Sequence, residues 1–208
     1  MRFRSRSLRL ALLALAVVLA PGSAGAEAHW TADPAVQQRL MRGEVVVEAG
    51  AASDPDQPRG AVRAAVLIHA GPEAIWKVMT DCRQVLSFVP GLRECRRLDG
   101  APDGRWADIE QEVRYAWYLP TVRYVARADY DPPHRIDFRR ISGDLKEEHG
   151  TWLLSAAADG STLVEYQMVI DPGFWIPQAL VTRSLRKDLP AALQGLRDRV
   201  QELPHAGR

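Results

Sequence analysis

Residues 171–203 read DPGFWIPQALVTRSLRKDLPAALQGLRDRVQEL, and this stretch decides the architecture. Asp171-Pro172-Gly173 closes an extended segment, and after Pro177 the residues Val181, Leu185, Leu189, Leu193, Leu196, Val200 and Leu203 recur at steps of three and four. On a helix those positions form one apolar stripe, which must be buried against another element. About seven strand-like segments lie upstream, so the partner is a sheet. An antiparallel sheet bent around one long helix leaves a hollow between them, and such hollows hold apolar ligands. Pro190 falls inside the stripe, where it removes a backbone N–H and crowds the preceding turn. A kink or break is therefore expected near Lys187–Leu189.

Working back from the helix, the sheet is legible as period-two alternation. Ile109, Gln111, Val113, Tyr115 and Trp117 share one face, with Asp108, Glu110, Glu112 and Arg114 on the other. Val122, Tyr124, Ala126 and Ala128 repeat the pattern against Arg123, Arg127 and Asp129, so acids and arginines on neighbouring outer faces are expected to pair. Arg135–Ile141 is a further strand, and Glu148–Ala156 and Thr162–Ile170 form a hairpin around Ala158-Asp159-Gly160. Upstream, Asp33-Pro34 starts a short helix that Gly43 stops, Glu44–Glu48 and Ala61–His69 read as strands, and Ala49–Gly60 reads as a loop. Gly71-Pro72-Glu73 opens a helix through Thr80, and another helical turn covers Arg83–Phe88. Strand, two short helices, a run of strands and one long helix exclude a doubly wound parallel sheet.

The first residues carry an address. Met1–Arg9 holds four arginines and no acid, Leu10–Ala20 is an apolar run of eleven residues, and Ala24-Gly25-Ala26 has the small-residue pattern of a cleavage site. Eleven residues are too few for a hydrocarbon core about 30 Å thick. The expected organisation is a signal peptide over 1–26, an N-terminal helix, strand and loop extension over 27–60, and one domain over 61–203. The expected location is the periplasm or the exterior, after cleavage near Ala26. The chain has 27 basic and 26 acidic residues; without the four leader arginines the balance is 23 to 26, a formal charge of −3. A mildly acidic surface gives no reason to expect nucleic acid.

Cys82 and Cys95, with twelve residues between them, suit a disulfide in an oxidising compartment, worth about 3 kcal/mol. The alternative is a pair of buried thiols. Their spacing is neither that of a zinc knuckle nor that of a dithiol redox motif. No Gly-x-Ser-x-Gly elbow, phosphate loop or His-Glu-x-x-His pair is present, so no catalytic residue, metal or cofactor is assigned. Glu147-Glu148-His149 is the densest titratable cluster. Alternation sends Glu148 to the opposite face from Glu147 and His149, and the cluster reads as a solvated strand start.

The segments Ala74-Ile75-Trp76-Lys77-Val78-Met79-Thr80-Asp81, Phe88-Val89-Pro90-Gly91-Leu92, Gly150-Thr151-Trp152 and Gly160-Ser161-Thr162-Leu163-Val164-Glu165-Tyr166 resemble the START-like superfamily, also described as polyketide cyclase/dehydrase or coenzyme Q-binding START-like domains. The resemblance runs over roughly Ala61 to Gln201. It implies an α+β helix-grip fold, with a curved antiparallel sheet wrapped around the C-terminal helix. The superfamily joins lipid carriers, allergens, cyclases and hydrolases on one scaffold. The extra N-terminal helix, the leader and the cysteine pair look like an exported subgroup.

The expected ligand wall takes Gln111, Tyr115, Trp117 and Tyr124 from two strands, and Phe138, Tyr166 and Met168 from the others. Phe174, Trp175, Leu180 and Arg183 complete it at the start of the helix, with Gln111 or Arg183 fixing a head group. The leading reading is a carrier of a lipid, isoprenoid quinone or polyketide-like molecule, with transient membrane contact as a partner interaction and the oligomeric state open. The alternatives are an aromatase/cyclase-type enzyme and an interaction module without ligand, its aromatics forming a packed core.

Overall fold

The structure, a computed structural model, describes residues 30–49, 60–114, 119–173 and 178–203, with side chains from 186 onward in the last segment. The leader, Tyr115, Trp117, Phe174, Trp175 and the side chains of Leu180 and Arg183 lie outside the described residues.

Two short N-terminal elements come first, a 3-10 turn at Trp30–Ala32 and helix α1 at Pro34–Met41. Asp33 caps α1 by accepting from the Ala35 amide at 2.7 Å, and Pro34 supplies the pre-set first turn. Strands β1 (Val46–Ala49) and β2 (Val62–Ile68) lead into helices α2 (Pro72–Met79) and α3 (Cys82–Phe88). Six strands follow: β3 (Leu92–Gly100), β4 (Trp106–Val113), β5 (Val122–Asp131), β6 (Arg135–Gly143), β7 (Glu147–Ala156) and β8 (Thr162–Asp171). Helix α4, Gln178–Glu202, is the last of the described elements.

The eight strands form one antiparallel sheet in the order β1-β2-β8-β7-β6-β5-β4-β3, which is the expected helix-grip arrangement. The strand missing from the sequence count of about seven is weakly patterned β3. Its residues after Leu92 are mostly exposed, so it shows little apolar alternation.

Alternation sorts the two faces. On the inner face Leu193, Leu196 and Val200 of α4 pack on Val62, Ala64, Val66 and Ile68 of β2, on Ile75 and Val78 of α2, and on Val164 of β8. The outer face near β1 and β2 is covered by the N-terminal elements, where Trp30, Val36 and Leu40 pack on Val46 and Ala65. Beneath that cover Glu165 is buried and accepts a hydrogen bond from the Thr31 hydroxyl at 2.9 Å.

Farther along, the outer face carries the expected charge pairs. Asp108 and Arg127 stand directly opposite in the β4–β5 register and bond at 2.7 and 2.8 Å, while Arg123 pairs with Glu112 and Arg96 with Glu110.

The break near Lys187–Leu189 does not occur. α4 runs through Pro190 as one unbroken helix, and Leu189 on one side and Leu193 on the other both pack into the same core.

Candidate functional site

A hollow of about 310 Å³ separates the sheet from the helices. Its origin is in the residues that face it. β5 lines it with the small side chains of Ala126 and Ala128, both buried, between Tyr124 and Tyr130. Across the hollow α4 presents Leu189, Ala192 and Leu196, and α3 presents Val85 and Phe88. The sheet's inner face and the helices thus meet at the β2 end and part over β5, leaving volume that neither side fills.

Helix α3 forms one wall yet buries none of its own residues fully. It is fastened covalently: Cys82 at its first position is joined to Cys95 of β3, with Cα atoms 5.2 Å apart, and both cysteines line the hollow. The expected disulfide is therefore present. Asp81 also caps this helix by accepting from the Arg83 amide at 2.9 Å, and that bond holds its carboxyl below the usual carboxylate range.

Five of the residues assigned to the ligand wall converge here: Gln111, Tyr124, Phe138, Tyr166 and Met168. Tyr166 sits between two rings, with Phe138 stacked at 5.9 Å and Trp152 at 4.2 Å between centroids, and its hydroxyl reaches the Met168 sulfur at 2.8 Å. Gly150 of β7 makes that arrangement possible. A Cβ at this position would lie 2.1 Å from the Gln167 carbonyl oxygen and 2.5 Å from Cζ of Phe138, so the ring rests on bare backbone.

The polar part of the wall is small. Tyr124 of β5 faces Gln111 of β4 in register and donates its hydroxyl to the Gln111 side-chain oxygen at 2.6 Å. Tyr124 is also hydrogen-bonded to Glu148 of β7. Glu148 is 8% exposed and lines the hollow, so the reading of Glu147-Glu148-His149 as a solvated strand start is corrected for its middle residue. Glu147 and His149 do lie outside, 3.2 Å apart and about half exposed. Burial pushes the Glu148 carboxyl from its ordinary 4.5 up to about 7, with the Tyr124 bond opposing in part, and its Oε2 has no hydrogen-bond partner. On α4 Asp188 also lines the hollow, and burial raises its carboxyl against the lowering effect of Lys187.

Sequence reasoning missed Glu148, Asp188, Tyr130 and Trp152. Running the inward alternation of β7 back from buried Leu154 through Trp152 and Gly150 reaches Glu148, which is the signal that could have found it. Asp188 precedes Ala192 and Leu196 at four-residue steps on the same helical face. Chemically the wall suits an apolar body with one polar end at Glu148, Tyr124 and Gln111.

A family model described as polyketide cyclase / dehydrase and lipid transport matches residues 68–197. Among solved structures, the chain is similar to a STAR-related lipid transfer protein from Xanthomonas axonopodis, at 16% identity and a TM-score of 0.63 over 76% of this chain and 99% of that one. Human STARD10 superposes with a TM-score of 0.64 at 13% identity, over 78% of this chain and 71% of that one. The Zhui aromatase/cyclase from a Streptomyces species gives 0.58 at 16% identity, over 71% and 97%. At these identities the likeness is one of fold.

Proposed function

The chain belongs to the polyketide cyclase / dehydrase and lipid transport family, and from that premise we propose that it is a periplasmic carrier of a hydrophobic small molecule, such as a lipid, an isoprenoid quinone or a polyketide-like compound. The observation that carries this reading is the hollow of about 310 Å³, walled by aliphatic and aromatic side chains and left unfilled by them. A ligand losing about 300 Å² of apolar surface there gains about 7 kcal/mol before the costs of immobilisation, enough for useful reversible affinity. Export is supported by the arginine-flanked apolar run of residues 1–20, and the Cys82–Cys95 bridge suits an oxidising compartment.

The test is organic extraction and mass spectrometry of the protein isolated from its own cell envelope. A hydrophobic compound near one equivalent per chain is expected, with a mature N-terminus at Glu27. Extracts that match a blank, from protein that also fails to take up added hydrophobic probes, would refute the carrier reading.

A second reading, an aromatase/cyclase-type enzyme, is favoured by one observation: a carboxyl that titrates near neutrality and is bonded to Tyr124 at the wall of the hollow. Turnover abolished in Tyr124→Phe with binding retained would select it.

A further inference from the structure

In the neutral form of Glu148 the hydrogen-bond directions follow from valence. Tyr124 has a single hydroxyl proton, and it goes to the Gln111 side-chain oxygen at 2.6 Å. Against the charged carboxylate the Tyr124 hydroxyl is the donor, which is why that bond lowers the Glu148 carboxyl; in the neutral form the acid proton of Glu148 supplies the bond and the Tyr124 oxygen accepts. The remaining carboxyl oxygen is left as a buried acceptor without a partner, on a residue that lines the hollow. A buried acceptor left unmet is unfavourable, and a donor brought by a ligand would meet it.

Charge points the same way. The titratable groups facing the hollow are Tyr124 and Tyr130 on β5, Tyr166 on β8, Glu148 on β7 and Asp188 on α4, and no Lys, Arg or His is among the described lining residues. An anionic head group would meet the buried Glu148 and the half-buried Asp188 with no described cation on the wall to balance it. We propose that Glu148 is the residue that selects the ligand, receiving the hydroxyl group of an otherwise apolar, uncharged alcohol or phenol and turning away carboxylate and phosphate heads.

This inference rests on the carrier reading and is tested so that the two can fail separately. The protein, stripped of bound organic material, is titrated below neutral pH with naphthalene, 1-naphthol and 1-naphthoate. One neutral hydrogen bond in a dry site changes affinity about tenfold. The wild type should bind 1-naphthol about tenfold more tightly than naphthalene, and 1-naphthoate more weakly than either. In Glu148→Leu the preference for 1-naphthol should vanish while both neutral probes still bind. Glu148→Gln, which keeps a carbonyl acceptor, should retain most of it and bind 1-naphthoate better than the wild type does. Equal binding of naphthalene and 1-naphthol by the wild type, or an undiminished preference in Glu148→Leu, would overturn the assignment and leave the carrier reading standing. Failure of the wild type to bind any of the three would overturn the carrier reading and this inference with it.

Discussion

Replacing Glu148 by glutamine should change the way stability depends on pH, in a direction opposite to that of most carboxylates. The carboxyl titrates near 4.5 in an unfolded chain and at about 7 in the fold, so the folded protein holds its proton more tightly. Its contribution to stability is then fully present below about pH 4.5 and is lost as the pH rises through about 7. That window corresponds to about 3 kcal/mol, an order-of-magnitude figure for a buried carboxyl whose neighbour Tyr124 partly compensates the charge. Glutamine keeps the shape and a carbonyl acceptor and does not titrate. The stability of Glu148→Gln relative to wild type should therefore rise by up to about 3 kcal/mol between about pH 4.5 and about pH 8.5.

Other groups do not mimic the effect. Asp188, also raised by burial, has the same sign but is common to both proteins. Asp81, Asp108, Asp137 and Asp171 are lowered by hydrogen bonds from Arg83, Arg127, Arg135 and Lys146 respectively, contribute above their ordinary range and fade as the pH falls, and they too cancel in the difference. Urea unfolding followed by tryptophan fluorescence across the window measures it. Parallel profiles for the two proteins would show that Glu148 is not buried as described, and the polar end of the site would have to be redrawn.

Two further outcomes follow from the same geometry. Mature protein should show no free thiol in denaturant without reductant, and Cys82→Ser with Cys95→Ser should lose about 3 kcal/mol in chemical denaturation, because the bridge closes a short loop and fastens a helix that buries little of itself; two reactive thiols would contradict it. Gly150→Ala should cost about 1–3 kcal/mol and push the Phe138 ring into the hollow, since the added carbon meets the Gln167 carbonyl and the ring; an unchanged unfolding midpoint would count against the packing described around Tyr166.

What the sequence disclosed and what it hid have physical causes. β5 was legible because Val122, Tyr124, Ala126 and Ala128 alternate with Arg123, Arg127 and Asp129, with Val125 the one apolar residue on the outward side. α4 was legible through Leu193, Leu196 and Val200, all buried in the core. From these two elements alone the hollow could be expected, and Gln111, Tyr124, Phe138, Tyr166 and Met168 line it. Glu148 was hidden because its neighbours Glu147 and His149 are solvent-exposed, and three polar residues in a row look like a surface. Only the tertiary arrangement, with β7 curving under the helices, makes the middle one an interior acid. The continuity of α4 through Pro190 was hidden for the same reason: the local penalty is visible in the sequence, and the core contacts of Leu189 and Leu193 that outweigh it are not. The N-terminal cover was hidden in part because Thr31 meets Glu165 across 134 residues, a contact that no local pattern announces.

The central claim is that an oily molecule enters the space above β5. Ala126→Phe adds a phenyl ring at a residue that lines that space, and circular dichroism can verify that the fold is kept. Titration of both proteins with naphthalene should show saturable binding of one equivalent by the wild type and at least about tenfold weaker binding by the filled variant. Equal binding by the two proteins, or none by the wild type, would contradict the account.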